Sequence, residues 1–153
     1  MAHRRIHSKG PFTREEYNAD EAGIYPGMLI MLMPTGGVER HDLQGGRCEA
    51  MFAEEDALQG KTVSDVYTVD NIVSCIIPQL GCEVNALLQD GQDVDIGDQL
   101  ISAGDGTLIA LTSIDSGGEN DYVVATAMEA LDLSGSADDN GLIRVRIGVT
   151  AGT

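Results

Sequence analysis

The chain has 153 residues, a hydrophobic content of 42% and a formal net charge of −16, which is enough for one core-forming domain and too apolar for a disordered acidic tail. Between Lys61 and Arg144 there is no Lys or Arg, so the body would repel nucleic acid and anionic membranes, whose binding requires clustered cations. With two Phe, four Tyr and no Trp, the core must be built from Val, Ile, Leu, Ala and Met, without a stacking platform for bases or sugars.

Residues 1–21 read as an extended N-terminal arm. They carry Arg4, Arg5, Lys9 and Arg14, four of the nine basic residues, together with Gly10-Pro11 and no sustained apolar period. Thr13 to Tyr17 suits a single helical turn, with Thr13 as N-cap and Glu16 closing a capping box. The start Met1-Ala2-His3-Arg4-Arg5 is followed by polar residues and does not read as a secretion signal. From Gly23 onward the pattern changes, and 22–153 reads as one β domain. Short apolar stretches alternate with Gly-, Asp- and Asn-rich turns, which places strands near 24–33, 47–53, 71–77, 82–89, 99–103, 107–112, 121–131 and 141–149. The first holds the longest apolar run, Met28 to Met33, too short to span a bilayer. Its Met28, Met31 and Met33 are either monomer core or an oligomer contact.

The later strands are clearer. Cys82, Val84, Ala86 and Leu88 alternate against Glu83, Asn85, Leu87 and Gln89, while Ile143, Val145, Ile147 and Val149 alternate with Arg144 and Arg146. Asp90-Gly91, Gly97-Asp98, Gly104-Asp105-Gly106 and Gly117-Gly118 supply hairpin turns. The expected fold is all-β, a small barrel with an N-terminal arm. Cys48, Cys75 and Cys82 match no disulfide framework or zinc spacing and read as reduced thiols, although Cys75 and Cys82 could face each other across a turn.

No motif assembles a catalytic constellation. Asp115-Ser116-Gly117 resembles the signature of retroviral-type aspartic proteases, but Gly118-Glu119-Asn120-Asp121 extends it as an acidic turn. Asp90, Asp93, Asp95 and Asp98 offer oxygen ligands without the closing Glu of an EF-hand, and Ser134 to Gly141 reads as a polar loop. His3 and His7 lie on the arm and His41 in a polar stretch, with no Ser-His, Cys-His or His-Glu-x-x-His pattern legible. The hairpin from Val94 to Leu108 lacks the lysine of a lipoyl or biotinyl carrier. The reading is a non-catalytic protein without cofactor or metal; the alternative is a small acidic β-barrel that binds a small ligand or calcium.

Ala53-Glu54-Glu55-Asp56-Ala57-Leu58-Gln59-Gly60-Lys61, continuing to Val66-Tyr67, resembles a segment of tailed-phage head decoration (capsid cement) proteins. The likeness covers roughly 24–149. It runs from Tyr25-Pro26-Gly27-Met28-Leu29 through Glu83 to Leu88, Asp90-Gly91-Gln92, Ile96-Gly97-Asp98 and Ser102 to Leu108, and ends with Ala127 to Asp132 and Ile143 to Ile147. Cys82 and the apolar stretch from Ile72 to Pro78 depart from the pattern. The resemblance implies a β-barrel or β-tulip-like body made in the host cytoplasm and placed on the capsid exterior. It also implies binding to the major capsid protein as a homo-oligomer, a trimer more often than a dimer. On that reading Arg4, Arg5, Ile6, Lys9, Phe12, Arg14 and Tyr17 are expected to anchor the arm to the shell by strand pairing and pocket filling. The arm is then dispensable for the fold.

Overall fold

The computed structural model describes residues 5–111, 121–135 and 139–148. In chain order the strands are β1 (His7–Lys9), β2 (Phe12–Asn18), β3 (Ile30–Leu32), β4 (Val38–Arg40), β5 (Phe52–Ala53), β6 (Ile72–Pro78), β7 (Glu83–Leu88), β8 (Asp93–Val94), β9 (Gln99–Ser102), β10 (Leu108–Ala110), β11 (Val123–Ala127), β12 (Leu131–Asp132) and β13 (Gly141–Ile147), with one 3-10 turn at Ala57–Gln59. The all-β class and the barrel are borne out.

Five strands close the barrel in the order β7-β10-β9-β11-β13 and back to β7. The alternation in β13 sets its faces: Ile143, Val145 and Ile147 are buried, and Arg144 and Arg146 are exposed. Opposite them, Val84, Ala86 and Leu88 of β7 point into the same core. The seam is the barrel's parallel pairing, Leu108 beside Leu88, fastened by the Gln89 N–H donating to the Leu108 carbonyl at 3.0 Å. Closure leaves these strands no long free edge. A five-stranded lumen is narrow, and aliphatic side chains fill it.

Five further strands form a second ring. β2, β6 and β5 make one sheet and β3 and β4 a hairpin. A bridge from Leu29 to Phe52 joins β3 to β5, and one from Ala19 to Val38 joins β2 to β4, so this set also returns on itself. Its interior holds Ile24, Ile30, Val38, Met51, Tyr67, Val73 and Cys75. The Tyr67 hydroxyl donates to the Glu54 carbonyl at 2.5 Å, which satisfies the one polar atom that an aromatic brings into that core. β6 is shared between the rings: Val73 and Cys75 face the second core, while Ile76, with Leu29 and Phe52, packs into the barrel core.

Two secondary-structure assignments in the sequence reading differ from the structure. Thr13 to Tyr17 is strand, not a helical turn. β2 pairs antiparallel with β6 over its whole length, from Phe12 opposite Pro78 to Asn18 opposite Ile72. A lone helical turn fixes several residues for one hydrogen bond, so a seven-residue ladder outcompetes it. The expected strand 24–33 forms a ladder only over Ile30–Leu32, because Pro26-Gly27 breaks it. Gly27 sits at φ +93°, a conformation that favours glycine, with the Asn85 carbonyl and Leu87 nitrogen 3.3 Å from where a Cβ would lie.

Candidate interaction surface

The N-terminal segment is extended, but it lies on the chain's own sheets. β1 pairs with β7 of the barrel and β2 with β6 of the second ring. The Ile6 side chain is fully buried in the barrel core. Its carbonyl accepts the Asn85 N–H at 2.7 Å, its own N–H donates to Glu55 Oε2 at 3.1 Å, and Asn85 Nδ2 donates to the Arg5 carbonyl at 2.6 Å. Gly10, at φ +93°, lets the backbone pass against Cys82, whose thiol donates to the Pro11 carbonyl at 2.9 Å.

Arg14 binds Glu54 with two parallel hydrogen bonds of 2.8 and 2.9 Å, and its guanidinium lies 5.1 Å from the Phe12 ring centre. The Glu54 hydrogen bond raises the Arg14 pKa above its ordinary value, outweighing burial. Lys9 lies 3.9 Å from Glu83, which also faces Arg144 at 3.4 Å. Glu54, Glu55 and Glu83 are the buried carboxylates among the described residues, and each holds this segment.

Of the residues expected to anchor the arm to a shell, Ile6 is therefore core and unable to fill a partner's pocket. Arg14 is committed to Glu54, and Tyr17 packs against the second core. Phe12 is half-buried against His7, with ring centres 4.2 Å apart, and Arg5 and Lys9 stay exposed. Arg4 lies outside the described residues, as do His3, Asp115 to Gly118 and 136–138.

Met28 is buried and its sulfur accepts the Tyr25 N–H at 3.3 Å, so it belongs to the monomer core; Met31 and Met33 are half-exposed. Cys75 and Cys82 do not face each other. Cys75 lies in the second core, where burial pushes its pKa up to about 12, and Cys82 lies against Pro11. Asp98 closes a tight turn by accepting the Asp95 N–H at 2.9 Å. Among the described residues no group of three or more His, Cys, Asp or Glu side chains could hold a metal ion.

One constellation escaped the sequence reading. His41 Nδ1 lies 2.6 Å from Ser102 Oγ, although 61 residues separate them. The geometry resembles a nucleophile and its base, but the surroundings differ. His41 Nε2 faces the Arg47 carbonyl at 3.1 Å, which can only accept, so in the neutral ring that nitrogen carries the proton and Nδ1 accepts from the serine. Ser102 in turn accepts the Gly104 N–H at 3.1 Å, and both side chains are buried. Buried together, the two side chains fasten the loop after β4 to the β9–β10 hairpin.

Among the described residues, the loop between β5 and β6 carries the most exposed large hydrophobic side chain. Its 3-10 turn ends at Gly60 in the left-handed region, φ +72°. The Gln59 and Lys61 N–H groups donate to the Asp56 carbonyl, Thr62 is tied to Asp65, and Thr68 to Asn71. On this braced loop Leu58 is 98% exposed, and Val66, Val69 and, at the start of β6, Ile72 are exposed as well. Two hollows of about 460 and 280 Å³ adjoin it and share Asp56, Gln59 and Ile72.

No protein-family model and no curated protein matches the chain. The fold defines a class by itself: an all-β protein of a closed five-stranded barrel joined to a second strand ring. A solved structure with a similar fold is the head fiber gp8.5 N base in bacteriophage phi29, with a TM-score of 0.54 and 12% identity over 90% of this chain and 95% of that one. At that identity the likeness is one of fold.

Proposed function

We propose that the chain is a structural protein of a phage head, bound to the outer capsid surface, where it contacts the major capsid protein and braces neighbouring capsomers without catalysis. The observation that carries this reading is the end-to-end correspondence of fold with a phage head fiber base. The decoration-like order of motifs from Tyr25 to Ile147 points to the same location. The acidity of the body fits a protein that binds protein surfaces and not the packaged nucleic acid. We propose further that it works as a homo-oligomer, a trimer before a dimer, with Met31 and Met33 available for contact; many copies then reinforce one another through multivalency.

The test uses capsid shells of the phage that carries the gene, prepared without this protein. Purified chain should bind them, appear as density on their outer face in a cryo-electron map, and raise the temperature at which they release DNA. Shells that bind none of it at low or high salt would refute the proposal. The purified protein should show no protease, esterase or phosphatase turnover, and an activity lost on Asp115→Asn would overturn the non-catalytic assignment.

A further inference from the structure

We infer that the loop between β5 and β6 is the docking surface for the shell, received by an apolar socket edged with lysine or arginine side chains. The identity of the partner rests on the virion reading above; the surface and its chemistry rest on the loop itself. Leu58 is 98% exposed and lines the larger hollow together with the exposed Ile72, an apolar pair where surface apolar side chains more often stand singly. Val66 and Val69 share its loop, and Ile72, the first residue of β6, borders both hollows.

The turn that carries Leu58 is braced at both ends by its own hydrogen bonds, so little freedom remains to be lost on docking. Charge narrows the choice of partner. The larger hollow sets Glu16, Glu54, Glu55 and Asp56 against Arg5 and Arg14, and Arg14 is already paired with Glu54. The smaller sets Asp56 and Asp65 against Lys61. Both therefore keep an excess of carboxylate. A second copy of this acidic chain would meet it with like charge; a cationic rim meets it with opposite charge, which speeds encounter and fixes register.

The experiment compares wild type, Leu58→Ser, Glu16→Gln and, as a control outside the loop, the exposed Leu43→Ser for binding to shells that lack the protein, over a series of salt concentrations. Leu58→Ser should weaken binding by about tenfold to a hundredfold, the effect of leaving one leucine unburied. Glu16→Gln should reduce the salt dependence, and Leu43→Ser should match wild type. Equal binding by Leu58→Ser and wild type would overturn the inference while leaving the virion reading in place. So would an oligomer of the free protein that Leu58→Ser dissolves, because the loop would then join copies of the chain. Wild type that binds no shell removes the virion reading, and this inference with it.

Discussion

Ile6 stands between an exposed arginine and a half-buried histidine, with its side chain in the barrel core and its backbone held by Asn85 and Glu55. Ile6→Ala is expected to cost about 2–5 kcal/mol, the range for truncating a buried aliphatic side chain. Urea unfolding measures it, and a loss near zero would mean the segment does not anchor. Ser102 is a second such position. Ser102→Ala leaves His41 Nδ1 and the Gly104 N–H without their partner and should destabilise by about 1–3 kcal/mol. The measurement is the midpoint of urea unfolding, which should fall.

β2 completes the second ring, and its removal would have consequences beyond its own residues. Without it, β6 loses its long ladder, Val73 and Cys75 lose their cover, and Glu54 stays buried without Arg14. A buried carboxylate stripped of its cation is costly. Deleting residues 1–18 should therefore abolish the cooperative thermal transition and raise binding of an apolar dye. A truncated protein that melts with wild-type cooperativity would restore the idea of a dispensable arm. Gly10-Pro11 turns the chain from one ring to the other, which explains why a single short segment braces both.

For the molecule as a whole, acid stability depends on carboxylates held below their ordinary range. Burial pushes Glu21 up, but hydrogen bonds from Arg40, at 2.7 and 2.9 Å, outweigh it and the net shift is downward. Asp105 is lowered in the same way: burial is outweighed by Thr107 and Gln89 and by the Arg40 charge. A carboxylate with a depressed folded pKa stabilises above its unfolded pKa, here near 4.5 for Glu21, and loses that contribution as pH falls through the folded value. Arg40→Met removes the cation and keeps an apolar stem. Its stability deficit should be largest at neutral pH and shrink below about pH 4.5, read from urea unfolding across a pH series. A deficit constant with pH would show that Arg40 contributes only packing.

The all-β class was legible in local sequence, since alternation with period two in β7 and β13 and glycine-rich turns between apolar runs are properties of neighbours along the chain. Alternation says which face of a strand is buried but not which edge it pairs with. The seam that sets Leu108 beside Leu88, the return of Ala19 to Val38, and the meeting of His41 with Ser102 were therefore decided only by tertiary packing. The same holds for Ile6, a lone apolar residue among charges with no period to announce it. Leu58 shows the converse. Its segment carried the family resemblance, yet an isolated leucine between polar residues reads alike whether a core will cover it or water will. Only the folded loop shows that nothing in the described chain covers it.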